Sequence, residues 1–447
     1  MNLFRRRNNG NHQRGQILPM VAFCLIIMLL FVALAIDLGF AYVTQANLSK
    51  AVDAAALRGM LNIAQGTTAA GNVAKSVFAA NYQSSGRDTA MPVPTVTFTT
   101  NPTTGLQQIN VSATTTINTF FARIFPSWRT LTVSDTAQST RADVMMTLVL
   151  DRSGSMNSNG GAQALPPAVN TFISYFSNTL DQAAVTTFSS TATLDQAMEH
   201  NFTSDVTNVV NGLVGNFGGG TYSQGGLDWA ANQLCGWAVP GAWPYAGACP
   251  AVPNTTKVVV FFTDGWANTN YDVLNRQPGG NGCPSTPVYY GGCAWPEAQV
   301  GWCGGWTQPP YIGVWDSNQN NVNGCAPSTF PAHMPGNPAA LDSAQDSETN
   351  VPNDAMYRAM TWANAMRAQG VIVYAIGLGD KISQPFLQQM ANDPSGTSFE
   401  GFSINSNTPQ GLAVFAVDCP GTGSSCSSEL NQAFQTVATD ILLRLTQ

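Results

Sequence analysis

The sequence predicts an α/β chain: a long N-terminal helix, a small β-rich spacer, and a doubly wound parallel sheet carrying one large insertion. Three observations predict it. Residues 17–36 form an uncharged apolar run. Residues 108–117 alternate polar with β-branched residues. From residue 143 onward, short apolar runs alternate with helical patterns, the sign of a parallel sheet covered on both faces.

The first element is a membrane span. Twenty uncharged residues suffice to cross ~30 Å of hydrocarbon, and the run is longer than the core of a signal peptide. Arg5, Arg6, Arg7 and Arg14 precede it and Asp37 follows it. The positive-inside rule then puts residues 1–15 in the cytoplasm and the bulk of the chain outside it. Helical spacing continues through Leu38, Tyr42, Leu48, Val52, Ala55, Ala56 and Leu61, so one helix over residues 16–65 would be ~75 Å long. Pro19 falls in its first turn, where proline is tolerated.

Residues 66–142 read as the β-rich spacer. Strand patterns at 96–100 and 108–117 flank a turn at Asn101-Pro102-Thr103-Thr104-Gly105. Beyond it, strands are expected at 144–151, 184–190, 257–263 and 370–377. Helices are expected at 164–180, 223–234, 353–369 and 428–445. Residues 266–352 break the rhythm and are rich in Gly, Pro, Asn and aromatics.

Composition narrows the function. Charged residues make up 10% and the formal net charge is −7, against a usual charged share of roughly 25%. Four of the 18 Lys and Arg sit in the N-terminal tail. No basic patch remains for a nucleic-acid backbone, so nucleic acid is excluded as a partner. Cys24 lies inside the span and reads as a packing residue. The other eight cysteines are Cys235, Cys249, Cys283, Cys293, Cys303, Cys325, Cys419 and Cys426. An even number, all beyond the span, predicts four disulfides in an oxidising compartment. Local bridges are expected for Cys235 with Cys249 and for Cys419 with Cys426. The four in the insertion allow three connectivities. A zinc site would want Cys-x-x-Cys pairs or His partners, and neither is present.

The most informative stretch is Asp151-Arg152-Ser153-Gly154-Ser155-Met156, at the end of the apolar run Val144–Leu150. Three oxygen side chains on one turn at a strand's carboxyl end suit a hard divalent cation. Gly218-Gly219-Gly220-Thr221 precedes a helix, and Val258-Val259-Val260-Phe261-Phe262-Thr263-Asp264-Gly265 is a strand ending in an aspartate. Together these stretches resemble the metal-ion-dependent adhesion site of von Willebrand factor A domains. The resemblance covers roughly residues 143–447, less the insertion. It implies Ser153, Ser155 and Thr221 as direct ligands, with Asp151 and Asp264 acting through water. Three neutral oxygens and two indirect carboxylates would leave one coordination position for a protein partner's Asp or Glu. Octahedral oxygen coordination favours Mg²⁺, then Mn²⁺, with Ca²⁺ needing a looser cage.

The N-terminal segment resembles TadG-like proteins of tight-adherence (Flp-type) pilus assembly. The residues that carry this are Arg14-Gly15-Gln16, Pro19-Met20, Asp37-Leu38-Gly39, Tyr42, Leu48 and Asp53-Ala54-Ala55-Ala56-Leu57. Phe120-Phe121-Ala122-Arg123-Ile124-Phe125 with Leu131-Thr132-Val133 also looks like this pattern. Prepilins of the wider group carry a Glu five residues after the cleaved Gly. Met20 stands there in this chain, a departure from that processing signal. The resemblance implies a bacterial inner-membrane protein with a periplasmic or surface-displayed head.

The insertion leaves the sheet after Asp264, on the side where ligands bind α/β sheets. Trp266, Trp295, Trp302, Trp306 and Trp315 are candidates for a partner-binding rim, or alternatively for the insertion's own small core. The expected function is therefore metal-dependent binding of a protein partner by a membrane-anchored head. The alternative is a minor-pilin-like subunit whose metal site is vestigial. Catalysis is not expected: a serine nucleophile needs a base within reach, and His200 and His333 have no recognisable triad context.

Overall fold

A computed structural model describes residues 17–102, 105–158, 160–239, 247–272, 274–276, 288–292, 314–316, 325–327, 347–399, 401–417 and 424–446. The chain divides into two compact units: residues 1–101 with 107–140, and residues 102–106 with 141–447.

In the first unit, α1 (Ile17–Leu61) is one uninterrupted helix of 45 residues, about 68 Å long at 1.5 Å per residue. Its apolar N-terminal half is exposed, and it is long and apolar enough to cross a membrane. Farther along, Leu48, Ala51, Val52, Ala55, Ala56 and Met60 are buried, the stripe expected of an amphipathic helix. Leu38 and Tyr42, expected on that stripe, are exposed. Gly66, at φ +89°, turns the chain into α2 (Thr67–Asn81), which packs along α1 through Ala70, Ala74 and Phe78. This helix lies where a β-rich segment was expected. Its buried stripe is short and made mostly of small residues, Ala70, Gly71 and Ala74 with Phe78, which give little apolar signal.

The β-rich part follows. β1 (Thr95–Thr100) and β2 (Gln107–Asn118) pair antiparallel, from Thr95 opposite Ser112 to Thr100 opposite Gln107. β3 (Thr130–Arg141) lies on the other side of β2. β2 buries Ile109, Val111, Ala113, Thr115 and Ile117 on one face, the period-2 pattern of a half-buried strand. Gly59 sets how closely the sheet approaches α1. A Cβ there would lie 2.5 Å from Ile109 Cδ1 and 3.0 Å from Ala74 Cβ.

The second unit opens with β4 (Asp143–Asp151), then α3 (Ser155–Ser158) and α4 (Gly161–Ile173). Next come β5 (Gln182–Phe188), β6 (Ala192–Glu199), α5 (Thr203–Gly212), α6 (Ser223–Cys235) and β7 (Thr255–Thr263). The insertion supplies β8 (Thr269–Asp272), β9 (Leu274–Arg276), β10 (Val288–Gly292), β11 (Val314–Asp316) and β12 (Cys325–Pro327). The chain closes with α7 (Ser347–Ala368), β13 (Ile372–Leu378), α8 (Gln384–Ala391), β14 (Ala413–Ala416) and α9 (Ser424–Leu445).

The main sheet has the order β14-β13-β7-β4-β5-β6. Its strands are parallel except β6, which pairs antiparallel with β5. The sheet is therefore mixed by one edge strand. Alternation along β7 sends side chains to both faces. Phe261 stacks on Phe188 at 5.4 Å on the face shared with α6, α7 and α8. Phe262 meets Phe434 of α9 at 5.9 Å, and Phe434 meets Phe172 of α4, on the other face. Helices on both faces make the sheet doubly wound. Parallel strands buried this way read as continuous apolar runs, and the expected strands lie within two residues of those observed.

The insertion, expected to lack a strand–helix rhythm, holds two small antiparallel sheets, β11-β10-β8 and β12-β9. At the start of the head, Arg141 pairs with Asp181 at 2.7 Å, both buried. Asp181 also accepts the N–H groups of Val144 and Ser177, so the charge is matched and the entry of β4 is fixed.

Candidate metal centre

β4 and β7 are neighbours, with Leu150 opposite Phe262. The register brings Asp151 and Asp264 to the same carboxyl edge of the sheet. Both are fully buried. Ser155 Oγ donates to Asp264 Oδ1 at 2.7 Å, and Ser153 Oγ lies 3.0 Å from Ser155 Oγ. Four of the five expected residues thus share one hydrogen-bonded cluster.

Asp151 enters it through its neighbours. Its Oδ1 accepts the Ser153 N–H at 2.7 Å and its Oδ2 accepts the Thr263 hydroxyl at 2.6 Å. Burial still pushes its carboxyl up to about 6, against the lowering effect of the bonds from Ser153, Thr263 and the Asp264 N–H. Both Asp151 oxygens are occupied by protein donors, which suits a carboxylate that serves an ion indirectly.

Thr221 comes from the second loop, which is sewn to the first by backbone. Gly154 N–H donates to Gly219 O at 3.0 Å, and Gly218 N–H donates to Arg152 O at 2.9 Å. Gly219 sits at φ +84°, and a Cβ there would lie 2.6 Å from Ser190 Oγ. A Cβ on Gly220 would lie 2.3 Å from Thr269 Oγ1. The glycines are thus required for the loop to pass so close to its neighbours. Thr221 is buried; its N–H donates to Asn268 Oδ1 at 2.7 Å, and its carbonyl accepts the Asn268 N–H at 3.1 Å. Gly220 N–H donates to Ser190 Oγ at 2.8 Å.

Thr263, Ser190 and Asn268 were missed in the sequence. Thr263 adjoins Asp264 and could have been found from that. Ser190 and Asn268 act through tertiary contacts that no local pattern marks.

The donor set fits a hard cation. It offers hydroxyls and carboxylates only, and two buried carboxylates share one edge with no basic side chain in the hydrogen-bonded cluster. Ser153, Ser155 and Thr221 would hold such an ion, with Asp151 and Asp264 behind them. An ion there would supply positive charge next to two buried carboxyl groups. Among the described residues no group of three or more His, Cys, Asp and Glu forms a different metal site.

The remaining candidates are more scattered. Trp266 is half-buried and packs against the core between the sheet and α6–α7. Trp315 lies in β11 opposite Gly291. Trp295, Trp302 and Trp306 lie outside the described residues, as do Cys283, Cys293, Cys303 and Cys419. Cys235 and Cys249 are joined by a disulfide, Cys426 is disulfide-bonded, and Cys325 begins β12. Cys24, expected to pack, is free and exposed on α1.

Two family profiles match the chain. The Flp pilus-assembly TadE/G-like family matches residues 15–70, and the von Willebrand factor type A domain matches residues 146–266. The second match spans all three loops of the cluster. A search of curated proteins gave no match.

Among solved structures, the chain is similar to the pilus adhesin SpaC of Lactobacillus rhamnosus GG, at 14% identity and a TM-score of 0.36. That match covers 79% of this chain and 35% of the adhesin, so the chain spans about a third of that protein's length. It is similar to the vWF domain of the type V pili tip protein Mfa5 of Porphyromonas gingivalis, at 15% identity and a TM-score of 0.37, covering 68% of this chain and 97% of that one. The PilB minor pilin of Streptococcus sanguinis matches at 13% identity and a TM-score of 0.38, covering 79% of each chain. The chain is thus similar to the TadE/G-like Flp pilus-assembly family over residues 15–70 and to the von Willebrand factor type A domain over residues 146–266.

Proposed function

We propose that this is a membrane-anchored pilus-assembly or adhesion protein whose head binds a protein partner through a divalent cation. Ser153, Ser155 and Thr221 hold the ion, with Mg²⁺ the best fit to an all-oxygen set. Asp151 and Asp264 act from behind. An Asp or Glu carboxylate of the partner completes the coordination. The α1 run anchors the protein in a bacterial inner membrane, with the N-terminus cytoplasmic and the head periplasmic or displayed at the surface. The observation that carries this reading is the Ser153–Ser155–Asp264 cluster at the carboxyl edge of the sheet.

The head is a binding module and not an enzyme on this reading. The Ser153 hydroxyl faces another hydroxyl, and His200 is engaged by the Asp181 carbonyl at 2.8 Å.

The test is a thermal melt of the detergent-solubilised chain with Mg²⁺, Mn²⁺, Ca²⁺ or EDTA. At an ion concentration of ~100 times Kd, linkage gives about 2.7 kcal/mol of added stability. Asp264→Ala should abolish that rise. If no ion shifts the melt and titration calorimetry shows no binding, the site is vestigial and the minor-pilin-like reading takes over.

A further inference from the structure

The loop joining β2 to β3 belongs to the first unit, outside the head. Three fixed points orient the small sheet along α1. Ile109 of β2 packs at Gly59. Gln45 Nε2 donates to Asp135 Oδ2 of β3 at 3.1 Å. Asp37 accepts the N–H groups of Phe120, Phe121 and Ala122 at 2.6, 3.0 and 2.7 Å. By helix rise, Gln45 and Gly59 lie ~12 and ~33 Å beyond Asp37, counted away from the apolar run. β2 therefore descends along α1 toward that run and β3 ascends from it. Residues 119–129 are the tip nearest to the end of the span.

That tip is a built structure. Thr119 closes its neck, its N–H donating to Arg129 O at 3.0 Å and its hydroxyl to Trp128 O at 2.7 Å. Two single-turn 3₁₀ helices, Ala122–Ile124 and Pro126–Trp128, shape it. Arg87 lies over the rings of Phe40 and Phe120, at 4.5 and 4.9 Å. Yet its apolar side chains point outward: Phe120, Ile124, Phe125 and Trp128 are 52, 75, 54 and 55% exposed. Arg123 and Arg129 beside them are also exposed. Clustered exposed aromatics mark an interaction surface. Exposed Trp and Phe side chains with arginines, held by the residue that directly follows an apolar span, have the chemistry of the headgroup boundary.

We propose that residues 119–129 form a second membrane contact. The loop inserts Ile124, Phe125 and Trp128 into the non-cytoplasmic leaflet that α1 leaves, while Arg123 and Arg129 meet lipid phosphates. Asp37 is a positioning residue that clamps the loop at that depth. The inference rests on reading residues 17–36 as a membrane span, and the experiment separates the two.

The full chain is reconstituted into phosphatidylethanolamine–phosphatidylglycerol vesicles, with an environment-sensitive fluorophore on one chosen thiol, and the signal of a labelled Cys24→Ser chain is subtracted as background. The thiol is native Cys24, or Ile124→Cys or Thr100→Cys in a Cys24→Ser background. Thr100 is exposed at the far end of the same sheet, opposite Gln107. Lipids carrying a shallow or a deep nitroxide serve as quenchers.

At an interfacial depth of ~5–10 Å, the label at 124 should show blue-shifted emission and roughly twofold quenching by the shallow nitroxide. The label at 100 should show neither. Asp37→Asn should weaken quenching at 124. If the label at 124 behaves like that at 100 while Cys24 is quenched by the deep nitroxide, the span stands and the loop contact is overturned. If 124 is shielded from aqueous iodide without lipid quenching, protein covers the loop and the proposal fails. If Cys24 is not quenched either, the span reading fails and takes the proposal with it.

Discussion

Two buried aspartates, Asp37 and Asp151, each follow an apolar run, yet the chain completes them differently. Asp37 ends the apolar part of a helix and receives three backbone N–H groups from one loop. Its charge is matched by local protein alone. Asp151 ends a strand, is fully buried, and receives a hydroxyl and backbone N–H groups. Its carboxyl is still pushed up to about 6, and a second buried carboxylate, Asp264, sits at the same edge. The same signature therefore produces a structural clamp in one unit and, in the other, a fully buried carboxylate whose burial outweighs its donors.

Three experiments sharpen or break the contrast. The largest effect is expected from Asp37→Ala. It strands three N–H groups, each costing ~1–3 kcal/mol if it stays buried. Limited proteolysis should show cleavage within residues 119–129, and hydrogen exchange at Phe120–Ala122 should rise. An unchanged pattern would mean water replaces the clamp.

The second concerns pH in the metal-free head. The folded-state pKa of Asp151 is raised above the usual 3.8. Below that value both folded and unfolded states are protonated and the group contributes no difference. As pH rises from about 4 to about 6, the unfolded state ionises first and stability falls, by about 3 kcal/mol in all. Denaturant melts in EDTA should show this slope, and Asp151→Asn should remove it. A saturating cation should flatten it as well.

The smallest effect is expected from Thr263→Val. It deletes the hydroxyl donor to Asp151 and should cost about 1.5–3 kcal/mol, as for a hydrogen bond to a charged group. Urea midpoints measured in EDTA check this. If Thr263→Val is neutral in EDTA, the Asp151 carboxyl is protonated there and the contrast with Asp37 becomes stronger.

Much of the head was legible because its chemistry is local. Buried parallel strands give unbroken apolar runs such as Val258–Phe262, and the ends of β4 and β7 with the loops that follow them carry Asp151, Ser153, Ser155 and Asp264 in sequence. What the sequence hid has physical reasons. β6 is an edge strand whose exposed, polar side chains give little apolar signal. α5 is built from Thr, Asn, Asp and Val, weak helix formers held by burial of Val206 and Val210. β14 is only four residues long. Ser190 and Asn268 hold the Thr221 loop through contacts between distant segments. The Asp37 clamp spans more than 80 residues of sequence, so its significance appears only once β2 and β3 have folded back along α1.

Gly59 and the unbroken course of α1 have a mechanical consequence. The small sheet is keyed to one helix at three heights, at Asp37, Gln45 and Gly59. The helix passes all three without a break. Three contacts spread along one continuous helix resist rotation of the sheet about α1, so torque or tension on the sheet is passed toward the apolar half of that helix.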